Sequence, residues 1–242
     1  MAMKYKTPLR ETLLACLVIP SLLLWTAPTV YGRPGQGTPL DLIRGEVNHA
    51  ATLSELKQAL NAANEMGKPA TILIADGEYL LDIPMLHITC PGLVIRSRSG
   101  DRSQVVIRGP DEGPKAAAAH VFLVAADDVV LADMTFGWCR YHGIQVRGER
   151  PYDVSGLHVH NCRIVNCNEQ FIKGSCPADD PEGATDGIIE NCLFEFTSGW
   201  AYQYYTGGID IHKGINWIVR DNLFLRNRQE ITWTFQLAGE MV

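Results

Sequence analysis

Arg147 and Lys173 directly precede Gly148 and Gly174, and His212 lies two residues before Gly214, each in a short stretch of alternating apolar residues. Aligned on these glycines, Val146, Ile172 and Ile211 point to one side of a strand and Arg147, Lys173 and His212 to the other. Gln145, Phe171 and Asp210 flank them on the outward side. A stripe of cations on one face suits a negatively charged sugar chain, because each cation neutralises a carboxylate. Removing a proton α to a carboxylate needs a base, together with a cation or calcium to hold the developing charge. Lys173, next to the Arg147 charge, is the first choice of base, and His212, tuned by Asp210 or Lys213, competes with it. The same side chains also suit an ordinary solvated surface.

Two loops flank this stripe. Residues 174–186 carry Asp179, Asp180, Glu182 and Asp186 among Pro and Gly. Asp179, Asp180 and Asp186 could offer oxygen ligands to calcium, although their spacing fits no ordered loop motif and a merely soluble loop has the same composition. Residues 198–207 hold Trp200, Tyr202, Tyr204 and Tyr205. With Lys213 they form a candidate substrate-binding wall, since aromatic faces stack on sugar C–H surfaces; the alternative is that the rings pack down on the body beneath. His158 and His160 alternate with Leu157 and Val159 and share a face, as two metal-chelating imidazoles would, but no third ligand is evident in that strand, and plain surface histidines fit equally well. For hydrolysis by two carboxylates, Asp210 with Glu169 or Asp186 is the pair to try, and none stands out. Gly-rich phosphate loops, a Ser-His-Asp order and dinucleotide fingerprints are absent.

These residues are positioned by a repeat. Apolar segments at residues 129–136, 157–164, 188–194 and 217–224 carry anchor residues Asp133, Asn161, Asn191 and Asn222, separated by 28, 30 and 31 residues. A second strand precedes most of the later anchors, at residues 143–147, 170–173 and 208–212. Short β-branched runs bounded by Gly, Asn and Asp exclude a helical repeat and predict a β-solenoid in which like stacks on like. The recurring Asn then forms a ladder at a tight turn, where it tolerates left-handed backbone. Cys162 with Cys192, and Cys139 with Cys167, share coil positions, which predicts buried thiols or structural bridges rather than catalytic ones. No Cys-x-x-Cys spacing argues for thiolate metal ligation. One helix is expected before the coil, with Thr52 as N-cap, Glu55 three residues on, Leu53, Leu56, Leu60 and Ala63 on one face, and Gly67 ending it.

The repeat resembles the right-handed parallel β-helix superfamily that includes pectate lyases and many uncharacterised secreted bacterial proteins, over residues 51–227. Gly208 to Gly214 is loosely similar to the strand that marks the pectate lyases themselves, and their Arg-x-Pro-x-x-Arg motif is not found. The resemblance implies an all-β right-handed parallel β-helix with a short N-terminal capping helix. It also implies a carbohydrate-active protein, polysaccharide lyase-like on an acidic polysaccharide. A non-catalytic glycan-binding or surface β-helix and an inactive fragment of a longer enzyme are the alternatives. Residues 229–242 carry no further repeat, so a C-terminally truncated solenoid or a short terminal cap is expected.

The remaining boundaries follow from bulk features. Lys4, Lys6 and Arg10 precede an apolar run over residues 13–27 that is short for a membrane span, so residues 1–32 read as a signal peptide or N-terminal anchor and the protein as secreted or periplasmic. Residues 33–50 read as a linker and 51–228 as the coil. The net charge of −6 argues against nucleic acid as partner, and a monomer without a stable membrane span after signal cleavage is expected.

Overall fold

The computed structural model describes Gly35, residues 37–198 and 208–227, and the backbone of Trp233–Gln236. The leading segment and Trp200, Tyr202, Tyr204 and Tyr205 lie outside the described residues. From Ala70–Ile74 onward each turn of the chain passes through three strands, one in each of three all-parallel sheets, and the fold is a right-handed parallel β-helix. The first sheet runs from Glu46–Ala50 through Ala70–Ile74, Val94–Ser97, Val130–Ala132, His158–His160 and Ile188–Glu190 to Ile218–Arg220. The second runs from Gly77–Leu80 to Leu223–Leu225, and the third from Leu86–Ile88 through Phe122–Val124, Ile144–Arg147, Ile172–Ser175 and Ile209–His212 to Trp233–Gln236. Period-two alternation sends Leu131, Val159 and Ile189 of the first sheet, Phe136, Ile164 and Phe194 of the second, and Ile144, Ile172 and Ile209 of the third into one buried column.

The left-handed corners make the sharp turns possible. Asp133, Asn161, Asn191 and Asp221 all have φ between 48° and 57° and occupy equivalent places between the first and second sheets. Asn161 Nδ2 donates to Asp133 Oδ1 at 2.9 Å, so side chains link one corner to the next. The last member of the ladder is Asp221 rather than the expected Asn222, because Leu223 pairs with Leu193 and carries the register with it. Asn222 instead takes the inward cysteine position, where its Oδ1 accepts from the Cys192 amide at 2.8 Å.

The helix Leu53–Met66 forms where its capping residues require it: Thr52 Oγ1 accepts from the Glu55 amide, Glu55 Oε2 accepts from the Ala51 amide, and Gly67 ends it at φ 60°. Its buried side, Leu56, Ala59, Leu60 and Ala63, closes the first turn of the coil.

Two boundaries differ from the sequence reading. The segment read as a linker already contains the strand Glu46–Ala50. The residues before it lie along the first sheet as a strap, with the Gly37 amide on Asn161 Oδ1, the Leu40 amide on Asp133 Oδ2 and the Arg96 guanidinium on Asp41. The reason is apolar: Val94, Val130 and Ala132 face outward on this sheet, and Leu40 and Leu42 cover them. Beyond Asn227, where no repeat was legible, Trp233–Gln236 adds a further strand to the third sheet. Among the described residues no helix is long and apolar enough to cross a membrane.

Candidate functional site

On the outer face of the third sheet the register pairs Gln145 with Lys173 and Lys173 with Asp210. Arg147 pairs with Ser175 one column away, and the register of Gly174 with Ile211, carried on by one residue, puts His212 in that same column. The expected single stripe of Arg147, Lys173 and His212 is therefore displaced by two residues at Lys173. Gly174 is the cause: it lies inside its strand pointing inward, where an added Cβ would stand 2.9 Å from Ile211 Cγ2, whereas Gly148 follows its strand. A shift of two preserves the face, so the three side chains remain outward.

The displacement creates a tighter cluster. Lys173 Nζ forms an ion pair with Asp210 and stands 2.7 Å from His212 Nε2, and His212 Nε2 is 3.6 Å from the other Asp210 oxygen. The Asp210 side chain is buried, and those of Lys173 and His212 are 16% and 25% exposed, enough to be reached from solvent. Burial pushes the His212 imidazole below its ordinary range and the Lys173 charge adds to this, while Asp210 and a backbone hydrogen bond with Cys176 oppose it. Since an ammonium can only donate, His212 accepts through Nε2 and is the neutral ring of the cluster.

The other expected site residues are placed differently. Arg147 pairs with Glu149 and stacks over the Tyr152 ring at 4.2 Å, so it does not accompany Lys173. Phe171, read as an outward flank, is buried among Phe194 and Phe196, because it lies in the turn before the strand where alternation has not begun. Lys213 Nζ donates to the backbone carbonyls of Pro177, Ala178 and Asp180. Those three bonds use all its donors, so it fastens the loop beside His212 instead of reaching for a ligand. Asp180 is engaged by Arg150, and Asp186 sits at a left-handed corner, accepting from Ser155 and Asn216. Among the described residues Asp179, Asp180 and Asp186 do not gather into a group able to hold an ion. Glu169, tried as a hydrolytic partner of Asp210, lies 3.6 Å from His142.

A second cluster lies on the first sheet. His158 and His160 share the outer face as expected, and the next turn supplies what their own strand lacks: Glu190 pairs with His160 across the ladder. Glu190 Oε1 is 3.1 Å from His158 Nε2 and 3.0 Å from His160 Nδ1, while Arg220 holds Oε2 at 2.6 Å. Burial by itself would raise the Glu190 carboxyl; the hydrogen bonds from Arg220, His160 and His158 and the Arg220 charge outweigh it and hold the group at about 2. Burial lowers His158, and the bond and charge of Glu190 restore only part of this. The signal for Glu190 was the repeat itself, since it follows His160 by one 30-residue turn.

The six described cysteines are free and buried, with Cys139 beside Cys167 and the Cys162 amide on Cys192 Sγ at 3.4 Å. Burial raises the Cys162 and Cys167 thiols well above their ordinary value, which removes them from nucleophilic chemistry. No family model matches the chain, and no curated protein or solved structure matches it either.

Proposed function

We propose that this chain is an exported, pectate-lyase-like β-helix that cleaves an acidic polysaccharide by β-elimination on the outer face of the third sheet. The observation that carries the reading is the Lys173 ammonium held between the buried Asp210 carboxylate and the neutral His212 ring. Lys173 is then the cation that neutralises the uronate carboxylate, and His212 is the base, the reverse of the first choice made from sequence alone. When the substrate carboxylate draws Lys173 toward itself, His212 Nε2 is released to take the proton α to that carboxylate. The electron pair passes into the carboxylate-stabilised carbanion, the bond to the leaving sugar oxygen breaks, a carbon–carbon double bond forms, and solvent protonates the leaving oxygen. Asp210 fixes the ammonium and is not itself consumed. Calcium has no assigned role in this scheme.

Incubation of the purified chain with uronate polymers, with and without calcium, tests the proposal through the ultraviolet absorbance of unsaturated sugar ends. His212→Gln is expected to lower the rate by roughly a hundredfold or more with an unchanged melting temperature, and Lys173→Met to lower it comparably with a lower melting temperature, because the buried Asp210 carboxylate loses its ion-pair partner. Full activity in folded His212→Gln refutes the base assignment. Reducing ends without new absorbance mean hydrolysis, and binding without cleavage means a non-catalytic glycan-binding surface.

A further inference from the structure

The His158, His160 and Glu190 cluster lies on a different sheet from Lys173 and stands independently of the proposal above. His160 Nε2 is 2.8 Å from the Thr38 carbonyl oxygen of the strap. A carbonyl only accepts, so Nε2 donates to it and Nδ1 is the ring atom turned toward Glu190. Glu190 is paired with Arg220 through its far oxygen, which leaves Oε1 facing both imidazoles, 3.1 Å from His158 Nε2 and 3.0 Å from His160 Nδ1. Each of the three side chains offers one donor atom, and these lie within 4.8 Å of one another, close enough to share one cation.

The geometry points to a divalent transition-metal site of the zinc class formed by His158, His160 and Glu190. Tetrahedral donors at zinc distances lie roughly 3.3 Å apart. The two imidazole-to-carboxylate distances here are 3.1 and 3.0 Å, so a few tenths of an ångström of spreading makes room for the ion. The supporting bonds that metal ligands require are already made: the Thr38 carbonyl orients His160, and Arg220 orients Glu190. Two imidazoles with one carboxylate are a borderline donor set, which selects zinc, cobalt or nickel over calcium and magnesium. Three protein donors are one short of a tetrahedron, so a water completes the set beside His158, the most exposed of the three side chains at 22%.

The test uses the full chain without a histidine tag, stripped with a chelator and titrated with zinc and with cobalt. One equivalent is expected to bind and to raise the melting temperature, and cobalt is expected to show the visible bands of a four-coordinate nitrogen–oxygen site. His158→Gln and Glu190→Gln are each expected to weaken binding by roughly a hundredfold, and His49→Ala, on an exposed position of the same sheet, to leave it unchanged. The proposal is overturned by absence of a cobalt band in the parent protein, which needs no variant to fold. Sulfur-to-cobalt charge transfer, which puts the ion on cysteines, overturns it too, as does parent-like binding in a folded His158→Gln protein.

Discussion

At the scale of single residues, burial sets the chemistry more than charge does. His120 and His142 stack with ring centroids 5.3 Å apart in successive turns. Burial holds His120 at about 4 and, with the His120 charge adding, His142 at about 3. Unfolded, both titrate near about 6.5. Below that value the unfolded chain binds protons that the folded chain refuses, so stability falls as the solution is acidified from about pH 7 toward pH 4 and is regained on returning. His142→Gln, whose amide can still donate to the Gln170 carbonyl that His142 Nδ1 meets at 3.0 Å, is expected to flatten the slope of melting temperature against pH in that window. An unaltered slope would place the acid sensitivity in other groups. Glu190, depressed to about 2, adds its own loss only below about pH 4.5, where the unfolded carboxyl begins to bind protons. The corner residues make a second prediction. Asn161 has φ 48°, donates to Asp133 and accepts from Gly37, so Asn161→Ala meets both left-handed strain and two lost bonds. It should cost about 2–4 kcal/mol in chemical denaturation, and Asn161→Gly about 1–2 kcal/mol less than that, since glycine removes the strain term alone. Equal losses in the two variants would show that strain contributes nothing at this corner.

At the scale of elements, the loop between Ile172–Ser175 and Ile188–Glu190 is shaped from outside itself. Lys213, one turn later, holds three of its carbonyls, and Arg150 holds Asp180. Lys213→Met keeps the aliphatic length and removes the donors. It is expected to open residues 176–183 to limited proteolysis while lowering global stability by only about 1–2 kcal/mol. Resistance of that loop to protease in the variant would mean that Arg150 and the loop's own turns suffice. The helix Leu53–Met66 and the strap perform a comparable service for the first sheet, one closing the bottom of the coil and the other covering outward apolar residues.

For the molecule as a whole, one continuous core joins every turn, from Ala50 to Trp217. The six cysteines from Cys90 to Cys192 lie in or against it. Burial raises the thiols of Cys90, Cys162, Cys167 and Cys176, so a thiol reagent should label these four slowly in the native protein and quickly in denaturant. Labelling of Cys162 and Cys167 should follow the denaturant dependence of global unfolding. Fast native labelling of either one would reveal a turn that opens separately from the rest.

Parity and period were legible in the residues themselves. Alternation put Val146, Ile172 and Ile211 inside and Lys173 and His212 outside, and spacing near 30 residues put Asn161 over Asp133 and Asn191 over Asn161. Those properties are local, because a pleated strand has a fixed side-chain period whatever it pairs with. Register and partnership were decided only in three dimensions. Gly174 pairs with Val146 instead of Gly148, which moves Lys173 away from Arg147 and onto Asp210. Glu190 reaches back one turn to two histidines, Lys213 is drawn to a loop, and a segment of linker composition becomes a strap. Each depends on how many residues the intervening corners consume and on which unpaired donor or apolar patch lies nearest once the coil has closed. Neither quantity exists before the turns stack.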